Sequence, residues 1–234
     1  MFVAFADVVC RFRGCSLVYS HDNGKTWTYN DVVKGEGDFR AGGHGPRYPG
    51  IHAPMVQLAD GRIMLVSRND KPEDQAKFHF KTPASFSSDM GKTWTYEETP
   101  FSAISSVQRA TMIRLHEGPI LLVTFTDQWR DWKNKKGMTF KSAAGDFTGF
   151  GMVAALSFDE GKTWPVRRLV TPGGAERTVP MIDRGECVLS ETFAEPCGYL
   201  ASTQTRDGNV HLITSKNHYV FNLAWLQQLP SGPR

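Results

Sequence analysis

Ionisable side chains that could bind an anion or transfer a proton concentrate in six segments between stretches rich in apolar and β-branched residues. These segments are 34–52, 68–78, 98–109, 126–151, 171–199 and 215–219, and they contain Arg47, His52, Arg68, Asp70, Arg109, Asp127, Arg130, Glu191, Glu195, Lys216, His218 and Tyr219. A planar guanidinium can bind both oxygens of a carboxylate at once, which the ammonium group of lysine cannot do. Among the arginines of these segments, Arg68 and Arg109 are the first candidates for binding an anionic ligand, and Arg47 is the third.

Three copies of the octapeptide S-x-D-x-G-K-T-W form the framework that must position these side chains. They are SHDNGKTW at 20–27 (box 1), SSDMGKTW at 87–94 (box 2) and SFDEGKTW at 157–164 (box 3), and their aspartates lie 67 and 70 residues apart. Glycine supplies the positive φ of a tight turn, Ser and Asp can hydrogen-bond the amides of that turn, and Trp packs between strands. Each box therefore predicts a hairpin turn with a structural role.

A second repeat, an apolar strand followed by an Asp-Gly or Glu-Gly turn and another apolar strand, occurs at 55–66, 112–123 and 200–213. Together the two repeats predict blades of four antiparallel strands, with a tight turn between strands 1 and 2 and a box between strands 3 and 4. The prediction is an all-β, single-domain β-propeller over 1–234. It has about four blades: a partial blade at about 1–30, blades at about 50–97 and 109–170, and a closing partial blade at about 199–225.

The strand order also predicts which loops lie together. Because successive strands run in opposite directions, the boxes and the tight turns lie at one rim, and the remaining connections lie at the other. All six long segments belong to the second rim. Long loops in a compact domain are usually functional or flexible, so any site is expected at the rim opposite the boxes.

Composition argues against several other functions. The 234 residues carry a net charge of +3, and 40% are hydrophobic, as in folded proteins. The run Lys133, Lys135 and Lys136 is interpreted as a solvated loop, and no nucleic-acid partner is predicted. No stretch approaches about 18 apolar residues, so no membrane association is predicted, and the start of the chain does not look like a secretion signal. Cell location and oligomeric state stay open, and a secreted or periplasmic location requires sequence before Met1.

The cysteines and histidines predict neither a metal site nor a disulfide scaffold. Cys10, Cys15, Cys187 and Cys197 form no C-x-x-C pair, and no histidine has ligand-like spacing. Cys10 and Cys15 could bridge across a turn in an oxidising compartment, but four cysteines in a chain of this length are too few for a scaffold. Free thiols and no cofactor are expected.

The boxes, together with the segment from GYL at 198–200 to DGNVHL at 207–212, resemble the Asp-box, or BNR-repeat, sialidase superfamily over nearly the whole chain. The resemblance implies a propeller that has six blades in the family, of which this chain would be an N-terminally truncated form. It also implies a glycoside hydrolase that removes terminal sialic acid or a related sugar from glycans. The R-I-P-type motif that carries one family arginine is absent, and Arg47-Tyr48-Pro49 only loosely echoes it.

Two alternative functions stay open, because the boxes mark the fold more specifically than the reaction. One is a carbohydrate-binding or interaction propeller without catalysis. The other is a different glycan-cleaving propeller such as a lyase.

The resemblance also implies catalytic roles. Sialidases use a tyrosine nucleophile activated by a glutamate, with an aspartate as acid/base, because a carboxylate nucleophile would repel the anionic sugar. Tyr219 is the implied nucleophile, with Glu195 or Glu191 as its partner. Asp70 is the implied acid/base, since it follows Arg68 by two residues at the end of a predicted strand.

The same resemblance implies a binding surface for the sugar. Arg47, Arg68 and Arg109 would bind its carboxylate. Trp129 and Trp132 would either stack on the sugar or fasten their loop to the body of the protein, since both roles use the same apolar ring faces.

Overall fold

The computed structural model describes residues 2–5, 14–15, 17–29, 35 and 37–233. These residues form two compact units, unit 1 (Met1–Ala103) and unit 2 (Ile104–Arg234), and each is predominantly β-structure. No helix within the described ranges combines the length and the apolar character that crossing a lipid bilayer requires. The possible Cys10–Cys15 bridge lies outside the described residues, since Cys10 is not among them.

Unit 1 is built on an antiparallel sheet in the order β5-β10-β9-β8-β7. A second sheet has the order β1-β3-β4, and β2 pairs with β6. The described elements are β1 (Phe2–Phe5), β2 (Gly14–Cys15), β3 (Leu17–Ser20), β4 (Thr28–Tyr29), β5 (His44–Gly45), β6 (Tyr48–Pro49), β7 (Met55–Gln57), β8 (Ile63–Val66), helix α1 (Pro72–Ala76), β9 (Lys81–Ser87) and β10 (Trp94–Ser102).

Unit 2 contains a four-stranded antiparallel sheet, β12-β13-β16-β17, and a three-stranded one, β21-β22-β23, with the pairs β11-β20, β14-β15 and β18-β19. The elements are β11 (Gln108–Arg109), β12 (Thr111–Arg114), β13 (Ile120–Phe125), a 3-10 helix (Trp129–Asn134), β14 (Met138–Phe140), β15 (Phe147–Gly149), β16 (Met152–Ser157), β17 (Val166–Leu169), β18 (Arg177–Pro180), β19 (Glu186–Leu189), β20 (Gly198–Tyr199), β21 (Ala201–Gln204), β22 (Asn209–Ile213), β23 (His218–Asn222) and helix α2 (Leu223–Gln227).

Each box forms a hairpin turn held by its own side chains, as the sequence predicts. In box 2, Asp89 Oδ1 accepts from the Thr93 amide at 2.9 Å, and Asp89 Oδ2 accepts from the Thr93 hydroxyl at 2.6 Å. Ser87 Oγ accepts from the Gly91 amide at 2.8 Å, and Gly91 has a φ of 79°. Boxes 1 and 3 repeat these three hydrogen bonds at 2.6 to 2.8 Å. Turn chemistry thus accounts for the Ser, Asp, Gly and Thr positions of the motif.

These carboxylates make the turns sensitive to acid. The pKa of Asp22 falls to about 2, first because the Thr26 amide donates to it and then because the Thr26 and Ser20 hydroxyls do. The pKa of Asp159 is also lowered, first by the Thr163 hydroxyl. A carboxyl group whose pKa is lower in the folded state contributes stability above its unfolded pKa, near 4, and loses it as the pH falls through the folded value.

We therefore expect the contribution of the boxes to stability to be complete above about pH 4 and to disappear as the pH falls towards 2. Urea unfolding of the wild type and of Asp22→Asn and Asp159→Asn variants between pH 2 and pH 6 checks this. The free-energy difference between wild type and variant should shrink as the pH falls. A difference that is the same across the range contradicts the prediction.

The central strands of both main sheets are covered on both faces. Every residue of β8, β13 and β16 is buried, which explains their continuous rather than alternating apolar sequences. In unit 1, Trp94 of box 2 packs edge-on against Tyr48, with ring centroids 5.5 Å apart, in a core that also contains Leu17 and Leu65. The box tryptophan therefore links its turn to the core of unit 1.

Strand register places the boxes and the tight turns at the same end of each sheet, which we call the box end. In unit 1, Ile63 pairs with both Gln57 and Ser87, the first residue of box 2. In unit 2, Ile120 pairs with both Arg114 and Ser157, the first residue of box 3. The opposite end, the loop end, carries α1 in unit 1, and the 3-10 helix and the β14–β15 hairpin in unit 2. In unit 1 the prediction fails for the segment 34–52, because its strand β5 pairs with Trp94 and Thr95 beside box 2 and so lies at the box end.

Two local predictions are wrong. The closing blade, predicted to extend to about 225, has its last strand end at Asn222, because the Asn222 side chain accepts from the Trp225 amide at 2.9 Å and caps helix α2. The segments 126–151 and 171–199, expected as loops, contain the β14–β15 and β18–β19 hairpins. In both cases hydrogen bonding within the segment gives its backbone groups partners that the apolar pattern does not show.

Candidate functional site

A hydrogen-bonded pair formed by a half-buried tyrosine and a buried glutamate is the chemically most suggestive arrangement in unit 2. The hydroxyl of Tyr219 donates to Oε2 of Glu195 at 3.1 Å. Tyr219 is on β23, one residue from the loop end, and its side chain faces inward while His218 and Val220 are exposed. Glu195 precedes β20 and is only 1% exposed. Of the two glutamates predicted as partners of Tyr219, Glu195 has this hydrogen bond, and Glu191 lines a cavity together with Tyr219.

Two further donors converge on the same carboxylate oxygen. The Thr214 hydroxyl and the Asn217 side-chain amide donate to Glu195 Oε2 at 3.1 and 3.0 Å. Both residues belong to the short turn between β22 and β23, at the loop end of the three-stranded sheet. A buried carboxylate is costly unless it is hydrogen-bonded, and these donors offset that cost.

The electrostatics of the pair keep the phenol protonated. Burial, followed by the negative charge of Glu195, raises the pKa of Tyr219 far above its usual range. A neutral phenol is a weak nucleophile until a base takes its proton, and Glu195 Oε2 is within hydrogen-bond distance to do so. The arrangement can therefore generate a nucleophilic tyrosine oxygen during a reaction, without a free phenolate beforehand.

Beside Glu195 is a cavity of about 330 Å³. Its lining includes Trp129, Trp132, Glu195 and Lys216. The two indole rings are stacked, with centroids 6.2 Å apart and planes 22° apart, and Trp129 is 38% exposed. The structure thus brings both predicted tryptophans to the same cavity as the proposed partner of Tyr219.

The interpretation of the basic run 133–136 as a solvated loop is wrong for Lys135. Its Nζ lies 5.2 Å from the ring centroid of Trp132, 5.3 Å from that of Phe150 and 5.6 Å from that of Phe193. An ammonium group over aromatic faces is attracted by their quadrupoles, so Lys135 packs Trp132 against the body of unit 2. Of the two tryptophans, Trp129 is the one with more of its surface open to a ligand.

A buried glutamine that sequence analysis did not select holds this region together. Gln108 Nε2 donates to the carbonyl groups of Asp127 at 2.9 Å and Pro196 at 3.0 Å, and Gln108 Oε1 accepts from the Trp129 amide at 2.9 Å. It thereby connects the strand β11, the start of the 3-10 helix and the residue after Glu195. No local pattern marks a glutamine as an anchor, because Asp127, Trp129 and Pro196 are 19 to 88 residues from it in the sequence.

Asp127, one of the ionisable loop residues, also has a structural role. Its carboxylate accepts from the amides of Lys136 and Gly137 at 2.7 and 3.0 Å and from the Thr126 hydroxyl at 2.7 Å. These bonds close the segment that carries Trp129 and Trp132.

In unit 1 the structure brings Arg68 and Asp70 together. Arg68 is 5% exposed, and its Nη2 donates to Asp70 Oδ2 at 3.0 Å. Both follow β8 at the loop end, where Gln75 of α1 donates to the carbonyl oxygen of Asn69 at 2.6 Å and fixes the backbone between them. Asp70 therefore engages a nitrogen of the Arg68 guanidinium within the protein itself.

The other two predicted arginines are half-buried and lie near the starts or ends of short strands. Arg47 precedes β6 in unit 1, and its carbonyl oxygen accepts from the Tyr96 hydroxyl. Arg109 is in β11 of unit 2, which pairs in parallel with β20, and its carbonyl oxygen accepts from the Leu200 amide at 3.2 Å.

The thiols near Glu195 are protonated at neutral pH. Cys187 and Cys197 line its cavity and are free, and burial is the main reason that the pKa of each is raised. Protonated, partly buried thiols are poor nucleophiles, so the site offers little cysteine chemistry. Among the residues that the structure describes, no cluster of three or more His, Cys, Asp or Glu side chains could hold a metal ion.

Comparison with known proteins adds independent information. The BNR/Asp-box repeat family matches residues 18–29, which include box 1. A curated sialidase from Micromonospora viridifaciens is 25% identical over 213 residues, which are 89% of this chain and 25% of that sialidase. The chain thus spans about a quarter of the length of this relative.

Two solved structures are similar. The intramolecular trans-sialidase from Ruminococcus gnavus, in complex with oseltamivir carboxylate, has a TM-score of 0.52 and 15% identity, covering 92% of this chain and 39% of the other. A Hadza microbial sialidase has a TM-score of 0.48 and 16% identity, covering 91% of this chain and 32% of the other. The first match shows the fold.

The fold is therefore an all-β, sialidase-like β-propeller architecture, as the repeats predict. The repeat match, the sialidase relative and the shared fold confirm the resemblance to the Asp-box (BNR-repeat) sialidase-like superfamily. The number of blades, the domain boundaries and the roles of individual residues stay predictions.

Proposed function

We propose that this protein is a sialidase-like glycoside hydrolase that removes terminal sialic acid, or a related sugar, from glycans. The observation that carries the proposal is the hydrogen bond between Tyr219 and the buried carboxylate of Glu195. A neutral nucleophile paired with a base suits an anionic sugar, because a carboxylate nucleophile would be repelled by it. The sialidase relative and the shared fold support the same reaction class.

In the proposed first step, the Tyr219 oxygen forms a bond to the anomeric carbon, and the bond from that carbon to the leaving oxygen breaks. The phenol proton passes to Glu195 Oε2 as the tyrosine attacks, and the leaving oxygen takes a proton from a general acid. In the second step, a water oxygen bonds to the anomeric carbon and gives a proton to the conjugate base of the general acid. The bond from that carbon to the Tyr219 oxygen breaks, and the tyrosine oxygen takes back its proton from Glu195. No cofactor enters these steps.

The remaining roles rest on sequence and resemblance. Asp70 is proposed as the general acid, and Arg68, Arg109 and Arg47 are proposed to bind the carboxylate of the sugar. Trp129 is proposed to stack on the ligand. Trp132 stacks on the Trp129 ring and in turn contacts Lys135. The proposed partner of the protein is accordingly a glycan or a sugar-acid substrate.

Release of a fluorophore from a fluorogenic sialoside by the full chain tests the proposal. We expect turnover in the wild type and a loss of kcat/KM on the order of tenfold to a hundredfold in Arg109→Ala, since a charge-assisted bond to the sugar carboxylate contributes roughly 1.5 to 3 kcal/mol. Arg206→Ala is the matched control, because Arg206 is exposed in the turn between β21 and β22 at the box end. It should retain wild-type activity.

Three other outcomes would replace the proposal. A product that absorbs in the ultraviolet because it is unsaturated would indicate a lyase. Glycan binding that survives Asp70→Asn and Tyr219→Phe, with no turnover in the wild type, would indicate a carbohydrate-binding propeller. Wild-type turnover that is unchanged in both Arg109→Ala and Tyr219→Phe would show that the reaction occurs elsewhere.

A further inference from the structure

The turn between β22 and β23 places three side chains on one carboxylate oxygen. The segment TSKNHY at 214–219 contributes the Thr214 hydroxyl, the Asn217 amide and the Tyr219 hydroxyl, and all three donate to Glu195 Oε2 at 3.0 to 3.1 Å. Glu195 is contributed by a separate segment, 19 residues before Thr214. One six-residue stretch therefore supplies both the proposed nucleophile and two further groups that contact its base.

Hydrogen bonds made by Thr214, the first residue of the turn, also fix the backbone of the turn. Thr214 Oγ1 accepts from the amides of Lys216 and Asn217 at 2.9 and 2.8 Å, and the Thr214 amide donates to the carbonyl oxygen of Asn217 at 2.9 Å. Thr214 is buried, so its hydroxyl has a fixed orientation and its proton is directed at Glu195. The local hydrogen bonds thus set the angle at which the turn meets the carboxylate.

The other carboxylate oxygen of Glu195, Oε1, has a different environment. Glu195 Oε1 is buried without a hydrogen-bond partner among the described residues. It lies beside Gly198, where an added Cβ would be 3.0 Å from it and where φ is 149°. The carboxylate is therefore oriented through Oε2 alone, and the glycine leaves the space that Oε1 occupies.

We propose that Thr214 and Asn217 are positioning residues that hold Glu195 Oε2 in line with the Tyr219 hydroxyl. The inference rests on the proposed function of the Tyr219–Glu195 pair and adds the residues that orient its base. Without these donors, a glutamate side chain has other rotamers available, and Oε2 would leave hydrogen-bond distance of the phenol. A displacement of about 1 Å in a catalytic group can reduce the rate on the order of a hundredfold.

Steady-state kinetics of Asn217→Ala and Thr214→Val test this. We expect kcat to fall by about 10-fold to 100-fold with KM within about twofold, because the donors act on the base and not on the substrate. Thr214→Ser keeps the hydroxyl and should retain most of the wild-type kcat. In a Tyr219→Phe background, Asn217→Ala should cause no further loss, since residues that act as a unit are not additive.

The matched control is Asn209→Ala. Asn209 also donates its side-chain amide to a carboxylate, Asp207 Oδ2 at 2.8 Å, but at the box end of the same sheet. It should leave kcat unchanged, and melting curves of all variants separate loss of folding from loss of positioning. A kcat in Asn217→Ala equal to that of the wild type would overturn the inference, and so would an equal loss in the Tyr219→Phe background.

A crystal structure of the Thr214→Val/Asn217→Ala double variant gives a readout that does not depend on activity. We expect the separation of the Tyr219 hydroxyl and Glu195 Oε2 to exceed 3.5 Å. A separation that stays near 3.1 Å overturns the positioning role. If the wild type releases no sialic acid, the proposed function fails, and this distance still decides whether the turn orients the glutamate.

Discussion

Replacing Tyr219 by Phe is expected to lower kcat for sialoside release by at least about 1,000-fold, the scale seen when a nucleophile is removed from a catalytic unit. The substitution removes only the hydroxyl that donates to Glu195 Oε2. The ring stays and fills the same inward-facing position on β23, so the fold should change little. Because Thr214 and Asn217 still donate to Glu195, its carboxylate keeps partners in the variant.

Initial rates on a fluorogenic sialoside measure this effect, with KM expected to stay within a few-fold of the wild-type value. Tyr19→Phe is the control, since Tyr19 lies on β3 in unit 1 and has no proposed part in the reaction. A Tyr219→Phe variant that turns over at the wild-type rate would assign the nucleophile to another group. A variant that also melts at a much lower temperature would show that the hydroxyl is structural.

Replacing Trp94 by Ala is expected to cost about 3 to 5 kcal/mol of unfolding free energy, whereas Trp27→Ala should cost about 1 kcal/mol or less. The two tryptophans occupy the same position of the same motif, and each Nε1 donates to the carbonyl oxygen of the box glycine at 3.1 Å. Trp94 is 1% exposed and Trp27 is 39% exposed. The local hydrogen bond of the indole is therefore the same in both boxes, so the difference between the two unfolding free-energy costs measures the effect of burial.

Urea unfolding followed by circular dichroism gives both free energies. Trp164 of box 3 is 4% exposed, so Trp164→Ala should resemble Trp94→Ala in size. Equal costs for Trp27→Ala and Trp94→Ala would mean that the tryptophan stabilises the turn locally and that its contact with Tyr48 contributes little.

Much of the fold could be predicted from the sequence because its signals are local. In each box, the aspartate bonds a threonine four residues later and the serine bonds the glycine four residues later, so eight residues specify the turn. The apolar strands and their turns then fix which connections share an end of a sheet. No comparable local pattern marks the β18–β19 hairpin. None marks helix α2 either, whose cap depends on a single asparagine.

The site could be predicted only in part. Arg68 and Asp70 are neighbours in the sequence, and their ion pair follows from that closeness. Tyr219 could be selected as a candidate, but two glutamates, Glu191 and Glu195, were equally compatible with it. The anchor Gln108 could not be found, because it joins segments up to 88 residues apart.

By itself, then, the sequence determined the box turns and the all-β character of the chain, since these depend on interactions within a few residues. Tertiary structure alone decided which of three identical box tryptophans is exposed and which glutamate meets Tyr219. It also decided that Thr214 and Asn217 share that glutamate. The physical reason is that burial and long-range hydrogen bonds depend on how distant segments pack. The eight residues of a motif do not specify which distant segments will contact them.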